Sequence, residues 1–189
     1  MRKRGTNWRR IAHRVRVPLG FLLAGFYVWM ARPTPWSMVG GAVITAVGLA
    51  IRAFASGTVR KNESLATTGL YAYTRNPLYL GSIVLAAGFA VAARRWIILP
   101  VLLLMFFAIY LPVIRAEEQF LWERFPEFVE YERRVPRLIP RLSTLFGRPP
   151  GVEGGFSWNL YRKHREYHAL AGALAMAVLL VIKLFCCTR

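Results

Sequence analysis

The chain has 189 residues, about one domain by length, and 56% of them are hydrophobic with a mean hydropathy of +0.36, too apolar for a soluble domain of this size. It carries 26 Lys and Arg against nine acidic residues, all of them Glu, for a formal charge of +17. The distribution of that charge argues against nucleic-acid binding, because seven basic residues fall in 1–16, four in 52–75 and ten in 115–167, with long apolar runs between. A cytoplasmic N-terminus would put 21 of the 26 on one side, as the positive-inside rule requires, and would leave anionic lipid as the natural partner of the excess.

In chain order, MRKRGTNWRRIAHRVRVPLG has a basic start but no small-residue cleavage site, so residues 1–16 are expected to stay as a cytoplasmic tail. Apolar runs follow at Val17–Ala31, Trp36–Ile51, Leu78–Ala93, Trp96–Ile114 and Ala169–Cys187. A span needs roughly 17–25 apolar residues. Only the last two runs reach that length, and the last must carry Lys183 to the surface by snorkelling. The first three must borrow flanking residues such as Arg14, Arg16, Arg52 or Arg94. The reading is an all-α integral membrane protein of about five transmembrane helices with amphipathic cytoplasmic segments. It is one membrane domain over 1–189, with a hairpin at 17–56, a core at 65–142 and a final segment at 157–187.

ARPTPW (31–36) makes a Pro-rich turn flanked by Trp29 and Trp36, residues suited to the membrane interface. In the second helix Gly41 and Gly48 are spaced to admit a close neighbour. Residues 56–77 form a cytoplasmic loop, and AARRW (92–96) an external turn. From Arg115 to Arg134 the fourth helix is expected to continue out of the bilayer and to break near Pro126. Phe120, Leu121, Phe125, Phe128 and Tyr131 recur at amphipathic spacing, and Pro136 and Pro140 stop the segment. Residues 143–156 read as a Gly/Pro-rich loop. SWNLYRKHREYH (157–168) reads as a basic aromatic segment at the headgroups, where His164 and His168, like His13 in the tail, are interfacial side chains. Cys186 and Cys187 are adjacent, lack metal-ligand spacing and read as lipid-facing thiols. The prenylation-like position of CCTR is a poor match, and no metal site is expected.

Two polar clusters stand at the same membrane face: Tyr71–Tyr79 before the third helix and Arg115–Glu118 at the end of the fourth. The hairpin between them must bring Arg75 and Tyr79 opposite Glu117 and Glu118. Ionisable groups beside a membrane core suggest a functional site. A plain Arg75–Glu118 staple between helix ends is the competing reading. The double Glu, three tyrosines and an Asn-Pro turn favour a pocket for a zwitterionic or cationic ligand with a flat ring. Arg can pair a carboxylate, Glu can take an amine or hydroxyls, and aromatic faces can stack or hold a cation.

LATTGLYAYTRNPLYLG followed by AEEQFLWERFPEFVEYERRVPRLIP closely resembles the core of the isoprenylcysteine carboxyl methyltransferase and phospholipid methyltransferase superfamily of integral membrane enzymes. That pattern runs L-x-x-x-G-P-Y-x-x-x-R-H-P-x-Y-x-G, a transmembrane hairpin, E-E-x-x-L, Y-x-x-Y-x-x-x-V and a Pro-containing stop. The resemblance covers 65–142 in order and spacing. It departs at Leu70 for Pro, at Asn76 for His, which removes a group that titrates near neutrality, and at Phe125-Pro126 for Phe-Gly.

The resemblance implies an S-adenosylmethionine-dependent methyltransferase. It implies cofactor binding by Tyr71, Arg75, Asn76, Pro77, Tyr79, Gly81, Glu117 and Glu118, with Arg75 and Glu118 as the catalytic pair. Arg75 would orient a carboxylate, Glu118 or Glu117 would take the amino group or hydroxyls, Tyr79 would pack on the ring or sulfonium, and Gly81 would admit close backbone approach. The acceptor would be lipophilic or membrane-associated, a prenylcysteine-like carboxylate, a lipid amine or a thiol, at the cytoplasmic face. Two alternatives stay open: a sterol-reductase-like NADPH-dependent membrane enzyme, and a non-catalytic lipid-binding membrane protein. The sequence is silent on oligomeric state.

Overall fold

The computed structural model describes residues 20–59, 64–140 and 155–187; the basic tail, the tip of the 56–77 loop and most of the 143–156 loop lie outside the described residues. Among the described residues the architecture is all-helical: α1 Gly20–Met30, α2 Pro35–Thr58, α3 Pro77–Ala93, α4 Ile98–Arg124, α5 Phe128–Arg134, α6 Trp158–Lys163 and α7 Tyr167–Cys187, with a 3₁₀ turn at Gly69–Ala72. By length and composition α2, α4 and α7 can each cross a membrane, while α1 and α3 are shorter apolar helices. The five apolar segments expected from the sequence are therefore present. At ~1.5 Å per residue α4 is ~40 Å long, more than a ~30 Å hydrocarbon core needs, so its last turns project beyond the apolar layer.

The rigid centre is the α2–α3 pair. A Cβ on Gly41 would lie 2.5 Å from Ala92 Cβ, and one on Gly48 2.7 Å from the Leu85 amide. On the α3 side a Cβ on Gly88 would meet Thr45, and one on Gly81 would meet Arg52 and the Gly48 carbonyl. Small residues on both helices bring the backbones together, the packing expected where lipid supplies no hydrophobic drive between helices.

The turns at 31–34 and 94–97 form one end of the molecule, called the far end. Thr34 caps α2 in a capping box with Ser37, and Pro35 takes the first helical position, where its missing N–H costs nothing. Four carbonyls in the last turns of α3 find partners: Phe89 O accepts from Tyr27 Oη (2.9 Å), Val91 O from the Arg94 amide (3.0 Å), Ala92 O from Ser37 Oγ (3.0 Å) and Ala93 O from the Arg32 amide (2.9 Å). Such groups must find partners inside a membrane protein. Lys183 was expected to snorkel. At the far end it donates to Val28 O (2.5 Å) and Trp29 O (2.8 Å), so α7 caps the C-terminus of α1 with a positive charge. Tyr27, Ala31, Ala90, Ala93, Ile98 and Leu180 form the buried core at this end.

At the opposite end, the site end, α2 runs past Ile51 to Thr58 with Arg52 inside it. The helix continues through that charge because Arg52 forms a bidentate pair with Glu166 (2.8–3.1 Å) and also donates to Ser82 Oγ and Leu78 O. The 157–168 segment, expected at the headgroups, packs with the preceding Phe156 on the end of α2. Phe156 lies against Gly57, the Ser157 amide donates to Gly57 O (2.9 Å), and His164 Nδ1 meets Ser56 O (2.9 Å). Arg165 takes a left-handed conformation (φ 55°) that turns α6 into α7. The His168 ring lies tilted against Tyr167, and Cys186 is an exposed free thiol.

Candidate functional site

The site is assembled from three local structures at the site end. In the first, Gly69 at φ 61°, a left-handed conformation favourable to glycine, opens the 3₁₀ turn that carries Tyr71. Asn76 and Pro77 then start α3, with Pro at the first helical position. The Asn76 side chain does not cap the helix. It turns instead to Glu118 Oε1 (3.4 Å) and to the Arg137 carbonyl (3.1 Å).

The second is the projecting end of α4, which carries Glu117 and Glu118. It stops at Phe125, whose extended backbone precedes Pro126, a residue disfavouring the helical region before it. The third is α5, with Phe128 and Tyr131 buried, followed by an extended strap at Val135–Arg137. The strap is joined to the first structure by main-chain groups: Pro136 O accepts from the Arg75 amide (2.9 Å), and Arg137 O from Thr74 Oγ1 (3.2 Å) as well as Asn76.

A cavity of about 140 Å³ lies between these structures, lined by Tyr71, Arg75, Asn76, Tyr79, Glu117 and Glu118, with Leu65, Phe120, Phe128 and Tyr131 completing the wall. Arg75 Nη1 sits 2.6 Å from Glu132 Oε1 and 3.3 Å from Glu118 Oε1, with its guanidinium 6.0 Å from the centre of the Phe128 ring. Its Nε is buried without a hydrogen-bond partner among the described residues. Glu118 holds Arg137 on its other oxygen, at 2.7 Å to Nη2 and 2.9 Å to Nε. Glu117 accepts from Tyr79 Oη at 3.3 Å, and the Tyr79 ring packs edge-on against Tyr110 and Phe106. Tyr131 Oη donates to Tyr71 O at 2.7 Å. Burial pushes the Tyr71 and Tyr131 phenols well above the usual tyrosine range, so both are neutral donors at ordinary pH.

Six of the eight expected site residues thus converge on one cavity: Tyr71, Arg75, Asn76, Tyr79, Glu117 and Glu118. Pro77 and Gly81 are not in its lining. Gly81 does admit a close backbone approach, and the partner is α2, since a Cβ there would meet Arg52 Cγ at 2.7 Å and Gly48 O at 2.9 Å. Sequence reasoning missed Glu132, Arg137 and Thr74. Glu132 carried a signal, lying four residues after the inward-facing Phe128 on the same helical face. Arg137 carried none, because an extended strap between prolines has no periodicity to read.

Comparison with known proteins bears on this arrangement. A phospholipid methyltransferase family model matches residues 36–127, which include every expected site residue and stop just before α5. The cobalt-zinc-cadmium resistance protein CzcN of Cupriavidus metallidurans is 39% identical over 110 residues, 58% of this chain and 50% of that one. The nickel-cobalt-cadmium resistance protein NccN of Alcaligenes xylosoxydans xylosoxydans is 35% identical over 141 residues, 72% of this chain and 64% of that one. The chain thus spans between half and two thirds of the curated relatives it matches. No solved structure matches it.

Proposed function

We propose that this chain, whose residues 36–127 match the phospholipid methyltransferase family model, transfers a methyl group from S-adenosylmethionine to a lipophilic or membrane-associated acceptor at the cytoplasmic membrane face. The observation that carries the reading is the charge arrangement of the cavity. A buried guanidinium, paired with Glu118 and Glu132, shares the cavity wall with the adjacent carboxylates Glu117 and Glu118, and aromatic rings complete the lining. That donor set suits a ligand with a carboxylate, an ammonium, hydroxyls and a flat ring, and so fits S-adenosylmethionine.

When bound, the cofactor would supply an electrophilic methyl on a sulfonium, the new bond forming at the methyl carbon as the carbon–sulfur bond breaks and a neutral thioether leaves. The protein's part is to hold and exclude. Arg75, whose side chain lines the cavity, would pair a ligand carboxylate through its guanidinium, a charge-assisted contact. Glu117 and Glu118 take the ammonium and hydroxyls, and Tyr79, braced by Tyr110 and Phe106, presents a ring edge beside Glu117. Displacement from a sulfonium disperses charge, so alignment in a water-poor pocket can supply most of the acceleration without a general base. Asn76, where the family pattern has His, is placed as a hydrogen-bonding joint between Glu118 and the strap, a task that needs no titrating group.

The acceptor class is read from location. The cavity lies at the projecting end of α4 beside apolar helices, which favours a substrate that reaches it from the lipid. Calorimetry on detergent-purified protein tests the reading: S-adenosylmethionine should bind and NADPH should not. Binding of NADPH alone would move the assignment to a reductase, and binding of neither would remove both enzymatic readings.

A further inference from the structure

Glu118 is the most heavily engaged group in the cavity, with its carboxylate side chain only 10% exposed and met by Arg75, Asn76 and Arg137. These partners are not equivalent. Arg75 is 9% exposed, is also held by Glu132 and sits beneath Phe128, and Asn76 is buried. Arg137 is 40% exposed and makes the two shortest contacts to Glu118. Its backbone is fixed independently, because the carbonyl accepts from Thr74 and Asn76 while the preceding Pro136 carbonyl accepts from the Arg75 amide. The guanidinium can therefore leave without unfastening the strap.

We propose that Arg137 is a displaceable latch: its guanidinium occupies Glu118 Oε2 when the site is empty, and the ammonium of the incoming ligand takes that oxygen over. This inference rests on the methyl-donor reading above and adds a residue beyond the family-matched stretch. The exchange is cation for cation. A nearly buried carboxylate is never left uncompensated, which is the costly state for such a group. Arg137 emerges towards solvent, where hydration offsets its lost pair, whereas Arg75 has no such route. The latch also selects: a neutral analogue lacking the ammonium cannot replace the guanidinium and is refused.

Arg137→Gln removes the competing charge and keeps the carbonyl contacts, so the strap should remain seated. S-adenosylmethionine should bind this variant about fivefold more tightly than wild type, the scale of releasing a half-exposed ion pair. Arg137→Lys, which keeps the charge on a non-forked group, should fall between. The gain should vanish in a Glu118→Gln background, a coupling that general loosening of the fold would not produce. Unchanged or weaker binding by Arg137→Gln, with wild-type binding intact, overturns the latch and leaves the methyl-donor reading standing. Absence of binding by wild type and both variants overturns that reading and the latch with it.

Discussion

Glu117 and Glu118 are neighbours in sequence with very different surroundings, and replacing each by Gln should separate structural from ligand-binding work. Glu118→Gln removes a charge held by Arg137 at 2.7 Å and Arg75 at 3.3 Å. Leaving a buried partner wholly uncompensated costs ~3–5 kcal/mol. Here Arg75 keeps Glu132 at 2.6 Å, and Arg137 can hydrate, so roughly 2 kcal/mol is expected. For a chain of this size that lowers the thermal midpoint by about 4–8 °C. Glu117→Gln only removes the charge from the acceptor of one 3.3 Å hydrogen bond at an exposed position, under ~1 kcal/mol, and should move the midpoint by no more than about 3 °C. Affinity should not follow stability. Each change removes one charge-assisted contact to the ligand, so both should weaken S-adenosylmethionine binding by roughly ten- to a hundredfold. Thermal unfolding in detergent and calorimetry read the two quantities. Equal destabilisation, or a loss of affinity confined to one carboxylate, would refute the division of roles.

Adjacent glycines in α2 give a second contrast. Gly41→Ala should destabilise by about 1–3 kcal/mol because its Cβ would meet Ala92 at 2.5 Å, whereas Gly40→Ala, with Val91 at 3.7 Å, should be neutral or slightly stabilising by thermal unfolding. Tyr71 and Tyr131 have folded pKa values above the ~10 of an unfolded tyrosine, so their contribution is complete below pH ~10 and is lost as pH rises through the folded values. Stability followed by intrinsic fluorescence should therefore fall above pH ~10, less steeply in Tyr131→Phe, and an unaltered slope would show that this phenol is not responsible. Glu166→Gln should cost roughly 2 kcal/mol, since Arg52 loses its counter-charge but keeps Ser82 Oγ and Leu78 O, and should expose the 155–168 segment to limited proteolysis before the rest of the chain; simultaneous cleavage elsewhere would contradict a local clamp.

Much of the site could be read in the chain because it is built from two short runs joined by one hairpin. Once α3 and α4 return antiparallel, Tyr71–Tyr79 must face Glu117-Glu118, and Pro126 must separate α4 from α5. The partners that complete the charge balance were harder to see. Glu166 lies 114 residues from Arg52, and nothing in either local sequence announces the pair. Arg52 therefore reads as a flanking charge borrowed at the end of an apolar run, when its neutralisation by Glu166, in the turn before α7, lets α2 carry it inside the helix. Lys183 illustrates the same limit, since its carbonyl partners on α1 exist only once the far end is packed. Gly81 shows that a glycine signals a close approach without naming what approaches. Asn76 is the instructive residue: its substitution for His looked like a chemical loss, and its contacts with Glu118 and Arg137 O give it a joint's work instead.

The central claim is methyl transfer, and it is tested most directly by incubating membranes containing the protein with isotopically methyl-labelled S-adenosylmethionine and examining the lipid extract by mass spectrometry. The account predicts a labelled, lipid-extractable product with wild-type protein that is lost with Arg75→Ala. A lipid extract without label, or label that persists unchanged in Arg75→Ala, would contradict it.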